Sequence, residues 1–273
     1  MESSTALRFA DQAVHPGSHA RSPLRAPQPR KLHTAWARHA DEVCAAQRLR
    51  YRIFADEMGA QLRVPAGTAP GLDVDAFDAH CEHLLVIAEE NDDTAAEVVG
   101  TYRVLTPAGA RRAGGLYSET EFDLQPLRSL RPRLAELGRS CTAPAWRQGG
   151  VILMLWTSLA EFMQRNGLSV MMGCASVPMR DGGHGAASLW EALRERHLAE
   201  PAWRVKPHLP LPVQELDRSL SVETPPLIKG YLRCGAQLLG PPAWDPDFGV
   251  ADLPMMLDLQ RLSEPYRARF TKA

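Results

Sequence analysis

The 273-residue chain carries 31 Lys and Arg against 32 Asp and Glu, a formal net charge of -1, with 45% hydrophobic and 23% charged residues. That is an ordinary globular composition, with enough chain for a substantial core in one large domain or two small ones. It excludes the strong overall electropositivity of a dedicated nucleic-acid binder. Cys44, Cys81, Cys141, Cys174 and Cys234 are widely spaced and form no CxxC pair, which favours a reducing compartment. No run reaches transmembrane length, and the first 32 residues lack the apolar centre of a secretory signal. A cytoplasmic protein is expected, with peripheral contact to the cytoplasmic face of the inner membrane left open.

Residues 1–35 mix Pro, His, Ser and Arg without a period and read as a mobile arm. From Trp36 to Met58 the residues Val43, Gln47, Tyr51 and Phe54 or Ala55 recur on a helical period, and Gly59 suits the end of that helix. An acid-rich loop follows. "HLLVIAEE" and "EVVGTYRVLT" predict two strands joined by "NDDTAA" as an antiparallel hairpin. Residues 107–133 read as a long connection carrying Arg111, Arg112, Arg128, Arg131 and Arg133. "RLAELGRSCT" predicts a third core strand. Val151, Ile152, Leu155, Leu159, Phe162 and Met163 form the apolar stripe of a helix that ends at Asn166-Gly167. "LSVMMGCASV" predicts a buried strand, and residues 184–199 a further helix. A helix opening at Pro225-Pro226 is expected to run to about Gly240. "GVADLPMMLDLQRL" predicts a last buried strand, with Pro254 at a bulge or a local edge. The alternation predicts one α/β domain over residues 36–270.

Strand alternation separates Glu136 from Arg139, unless a bulge, made easier by Gly138, turns both toward one cleft. A structural ion pair at a strand edge explains the two charges equally simply. After them, Gly149 and Gly150 open a helix whose first N–H groups and dipole favour an anion, and Arg147 adds positive charge there. "RQGGVI" therefore suits the phosphate of a pantetheine arm, with a plain turn into a buried helix as the simpler reading. It lacks both the Walker and the GxGxxG patterns. Cys141 has no base near it in sequence, so a covalent role is disfavoured. "DAHCEH", with His80, Cys81 and His83, lacks a second clear ligand pair, and no metal is expected.

"RVLTP", "AELGRSCTAPAWRQGGVI", "GCASV", "PPLIKGYLRCGAQLLGPPAWDPDFGVADLPMMLDL" and the acidic loop together resemble the bacterial ornithine-lipid acyltransferases over about residues 40–270. More broadly the chain is similar to the GNAT superfamily and to its branch of acyl-homoserine-lactone synthases. The resemblance implies a GNAT-like fold, with a central mixed, mostly antiparallel sheet flanked by helices and splayed between the strand of Glu136 and "LSVMMGCASV". It implies transfer of a long-chain 3-hydroxyacyl group from acyl carrier protein to the α-amine of L-ornithine, giving lyso-ornithine lipid, with no tightly bound cofactor. The corresponding site residues would be Arg48 or Arg52, Phe54, Asp75 and Asp78 for substrate. Arg103, Glu136 and Arg139 would act at the reaction centre, and a backbone N–H of Ser140 or Cys141 would serve as oxyanion donor. Arg147, Gly149, Gly150, Val151 and Ile152 would receive the pantetheine phosphate. Asp75 and Asp78 would hold the substrate's positive ends, and Arg103 or Arg139 would pair with its carboxylate or brace the acidic loop. The surface arginines with Arg147 suit an acidic carrier protein. Two alternatives stand beside this reading. One is an acyltransferase for another amino acid or a lactone synthase; the other is a non-enzymatic acyl-carrier or lipid-surface binding protein.

Overall fold

A computed structural model describes residues 30–90, 94–148 and 150–262. In chain order the elements are β1 (Leu32–Trp36), α1 (Ala40–Tyr51), β2 (Glu82–Ala88), β3 (Glu97–Leu105), α2 (Pro107–Ala113), β4 (Phe122–Asp123) and β5 (Leu134–Thr142). There follow α3 (Val151–Arg165), β6 (Val170–Pro178), α4 (His184–His197), β7 (Lys206–Pro207), α5 (Pro226–Cys234), β8 (Gln237–Leu238), β9 (Ala243–Asp245) and β10 (Val250–Asp258). Eight strands form one sheet in the order β1-β2-β3-β5-β6-β10-β8, with β9 also pairing β10; β4 and β7 pair separately. Every neighbouring pair in the main sheet is antiparallel except β5–β6.

Helix α3 turns Val151, Leu155, Leu159 and Met163 onto β2 and β3 at four-residue spacing, and all four are buried. The opposite face is covered by α1 and by the connection from 107 to 133, whose Leu124, Leu127 and Leu130 join Val170, Met172 and Met256 in a second cluster. Helices α4 and α5 pack on the far half of the sheet with Ala175, Val177 and Leu253. No helix among the described residues is long and apolar enough to cross a membrane.

Three expectations change. Trp36 ends a strand rather than opening a helix: it pairs with Leu84, and its ring lies 4.4 Å from that of Phe162. The sheet thus begins at Leu32, inside the segment read as an arm, whose residues 1–29 lie outside the described residues. A short edge strand has partners only on one side, so its sequence need not alternate. The helix from Pro226 stops at Cys234, because Gly235 adopts φ 96 and its N–H returns to the Leu232 carbonyl; Gln237–Leu238 then joins the sheet. The 107–133 connection contains α2, whose N-cap Thr106 accepts from Gly109 N–H, followed by tight turns. Pro254 stands at an interruption, as expected. Its carbonyl accepts from Leu239, and its missing N–H falls between the segments paired to β9 and β8.

The parallel pairing of β5 with β6 stops at Glu136–Met172. Beyond it, β5 continues along β3 and β6 along β10, so the sheet opens into a wedge. Gly173 marks the opening, since a Cβ there would lie 2.3 Å from the Leu137 carbonyl oxygen. Gly173→Ala is expected to push the strands apart and cost about 1–3 kcal/mol in urea unfolding.

Candidate active site

The wedge leads into a cavity of about 310 Å³ lined on one side by Gly138 to Thr142 and on the other by Cys174 to Ser176. A bulge in β5 shapes it. Thr101 pairs with Cys141 but Arg103 with Gly138, so Arg139 and Ser140 share the place opposite Tyr102. Arg139 itself, not Gly138, takes the left-handed conformation, at φ 51. A bulky residue rarely adopts that region. The extra residue reverses the alternation and brings Glu136 and Arg139 to the same cavity.

Both carboxylate oxygens of Glu136 accept backbone hydrogen bonds, from Tyr117 N–H at 2.6 Å and Ser118 N–H at 2.7 Å. Burial pushes its pKa up, against the pull of those bonds and of Arg103. The Tyr117 ring in turn lies under Arg139, 4.9 Å from the guanidinium carbon, while Phe248 covers the other side at 4.6 Å.

Beneath Arg139 lies a network of three arginines and three aspartates. Arg50, fully buried, bonds Asp73 Oδ2 at 2.8 Å and Asp78 through both terminal nitrogens at 2.8 and 2.9 Å. Arg103 lies 2.6 Å from Asp75 and 3.5 Å from Asp78; Arg139 lies 3.3 Å from Asp75 and 3.4 Å from Asp73. Burial raises the Asp78 carboxyl, but Arg50 and then Arg103 outweigh it and hold its pKa below the ordinary value.

A second acidic group, Glu121, Asp245 and Asp252, faces the cavity from the opposite wall, their ligand oxygens within 4.8 Å of one another. Burial and mutual repulsion raise the pKa of both Glu121 and Asp252. A second cavity of about 400 Å³ opens beyond, and Tyr117, Glu121, Arg139, Asp245 and Phe248 line both.

Residues 49–157 match the family model described as an acetyltransferase (GNAT) domain. The L-ornithine N(alpha)-acyltransferase of Rhizobium meliloti is 36% identical over 245 residues, covering 86% of this chain and 82% of the relative. That of Rhodobacter capsulatus is 36% identical over 253 residues, covering 86% and 93%. The chain belongs to this acyltransferase family. Its fold is similar to that of a CoA-dependent acyl-homoserine lactone synthase, BjaI, with a TM-score of 0.50 at 16% identity, covering 86% of this chain and 82% of that one. The α/β sheet with its splayed centre is thus the GNAT fold, and the protein is an N-acyltransferase.

Within this acyltransferase, Phe54 reaches the cavity and meets Phe248 edge-on, on a widened helical turn over Arg52–Glu57. Arg48 and Arg52 do not; both are exposed, and the arginine turned inward from α1 is Arg50. The inward arginine was read two positions off because the apolar stripe on α1 is weak. Asp78 is buried and lines neither cavity, while Asp75 lines the outer one. The arginines already neutralise both, so they brace the acidic loop instead of presenting free charge, and Arg103 shares that role. The Cys141 thiol is buried and its pKa is pushed up to about 12, which removes thiolate nucleophilicity near neutral pH.

Arg147 lines the cavity but is exposed and bonds Glu57 at 2.7 Å. Gly150 turns into α3 at φ 77, Val151 is core beneath Gly100, and Ile152 is partly buried; Gly149 lies outside the described residues. His83 is buried, its Nε2 3.0 Å from the Asp78 carbonyl. Sequence reasoning missed Arg50, Asp73 and the Glu121–Asp245–Asp252 group. The "AWDPDFGVADL" block held two members of that group, but nothing in linear spacing brings Glu121 to them.

Proposed function

We propose that this acyltransferase moves a long-chain 3-hydroxyacyl group from acyl carrier protein to the α-amine of L-ornithine, forming lyso-ornithine lipid. The observation that carries the reading is the wedge cavity. Glu136 and Arg139 meet there through the bulge, in a chain whose relatives at 36% identity are named L-ornithine N(alpha)-acyltransferases.

The amine nitrogen attacks the thioester carbonyl, the carbon–sulfur bond breaks to release the pantetheine thiolate, which takes up a proton to leave as the thiol, and the amine's proton must leave. Glu136 accepts that proton, directly or through water, its pKa raised toward the range a base needs. The oxyanion is met by the Ser140 N–H. Ala143 N–H bonds Val99 on β3, and alternation sends the Cys141 N–H to that same side, leaving Ser140 toward the wedge. The pantetheine phosphate would meet the N–H groups of Val151 and Ile152 and Arg147, displacing Glu57 from that guanidinium. Exposed Arg111, Arg112 and Arg128 suit the acidic face of a carrier protein; Arg131 and Arg133 are already paired with Glu119 and Asp258.

The test is an assay of the purified protein with 3-hydroxyacyl carrier protein and a panel of amino acids, read by mass analysis. An amide on ornithine is expected. Acylation of a different amine with ornithine untouched, or binding without turnover, would overturn the reading.

A further inference from the structure

We infer that Glu121, Asp245 and Asp252 form the subsite for the side-chain ammonium of a diamino-acid acceptor, and thereby set the preference for such an acceptor over a neutral one. The inference rests on the ornithine reading above.

The two acidic groups differ in one respect. Asp73, Asp75 and Asp78 are matched by Arg50, Arg103 and Arg139. For Glu121, Asp245 and Asp252 there is no Lys, Arg or His within ion-pair distance among the described residues. Both carboxylate oxygens of Glu121 are shut from solvent and receive no hydrogen bond. Asp252 is 4% exposed and receives one from Ser176 Oγ at 2.6 Å; Asp245 Oδ1 receives Asp247 and Phe248 N–H at 2.9 and 3.1 Å. Carboxylates shut from water with no paired counter-charge, and only Arg139 acting from farther off, are costly, so they hold protons or await a cation. Burial and the neighbouring acids raise the pKa of Glu121 and of Asp252, which favours their holding a proton until a cation binds. An ammonium brings three N–H donors and one positive charge, and answers both needs at once.

Position adds a second, independent argument. Glu121 and Asp245 stand where the two cavities meet, so an acceptor entering from the outer cavity reaches them beside the wedge that would hold the donor. Arg139 lines both cavities as well, from the β5 side. Its Nε is buried and makes no hydrogen bond, although Asp73 Oδ2 lies 3.4 Å away. It offers the acceptor's carboxylate a second point of attachment. With the ammonium and the carboxylate held at opposite sides of the cavity, the α-amine is the group left to face the thioester.

The experiment compares L-ornithine with L-norvaline, which has the same carbon skeleton without the second amine, as acceptors for wild type, Glu121→Gln and Asp252→Asn. In both variants the ornithine-to-norvaline ratio of kcat/KM is expected to fall about 10-fold or more, chiefly through KM for ornithine. Glu121→Gln, nearly isosteric and relieved of repulsion, should melt no lower than wild type without substrate, yet lose the rise in Tm that ornithine gives wild type. An unchanged ratio in variants that still acylate ornithine would overturn this inference alone. So would magnesium or calcium raising the Tm of wild type but not of Glu121→Gln while the ratio holds, which would make the trio a divalent-cation site. A wild type that acylates another amino acid and not ornithine would overturn the function proposed above, and this subsite with it.

Discussion

Glu136→Gln is expected to lower kcat by about 10²–10⁴-fold, the usual contribution of a positioned general base. The substitution keeps size and shape but gives up the proton acceptor. It also presents an amide NH₂ to one of the two backbone donors now held by the carboxylate, Tyr117 N–H or Ser118 N–H. Leaving that donor unpaired in a buried site costs about 1–3 kcal/mol of stability. Both losses reduce activity, so the pH profile is needed to separate them. A base works deprotonated: wild-type kcat/KM should rise with pH through the Glu136 pKa, which burial raises above the ordinary glutamate value, and then level off. In Glu136→Gln that limb should vanish. A variant that keeps the limb, at a lower plateau and with a lowered Tm, would show that Glu136 only braces the turn carrying Tyr117. Full turnover in a folded variant would remove it from the reaction altogether.

Arg50→Met should produce the largest loss of stability in the fold, about 3–5 kcal/mol, because it leaves the buried carboxylates of Asp73 and Asp78 short of their counter-charge. Urea unfolding at neutral pH measures it. The pH dependence has a definite sign. Asp78 has its folded pKa below the ordinary value of 3.8, so the stability it contributes is present above that value and is lost as pH falls through the folded pKa. Without Arg50, burial is opposed by less positive charge, the folded pKa rises, and acid unfolding should begin at higher pH. Equal stability and an unshifted acid transition would show that Arg103 and Arg139 compensate. A secondary consequence reaches the active site, because Asp73 and Asp75 fix Arg139 from below while Tyr117 and Phe248 hold its faces.

Much of the sheet was legible in the sequence. The hairpin β2–β3, the strand β5, the stripe of α3 and the buried strands β6 and β10 each carry strong local patterns of apolar residues, and these reappear with nearly the expected bounds. β1 was misread because an edge strand pairs on one side and leaves a weak pattern. The interior arginine of α1 was misplaced by two residues, since a buried charged residue cannot be told from an exposed one until its partners, 23 and 28 positions away, are known. The Glu136–Arg139 pair shows the boundary most clearly. Its residues are local, but the rule of alternation points them apart, and Arg139 can hold φ 51 only because Asp73, Asp75, Tyr117 and Phe248 fix its side chain.

By itself, then, the sequence determined the α/β class, most of the strands, the Asn166-Gly167 end of α3, and a family resemblance carried by short contiguous blocks. Those features follow from local backbone preference and from apolar periodicity, which act over a few residues. Only the tertiary structure decided which charges are already neutralised and which still await a partner. Asp75 and Asp78 read as substrate ligands in the chain and are neutralised by arginines in the fold, whereas Glu121, Asp245 and Asp252 come together across more than a hundred residues without a counter-ion among the described residues. Charge balance depends on distance and burial in three dimensions, and neither has a signature in linear spacing.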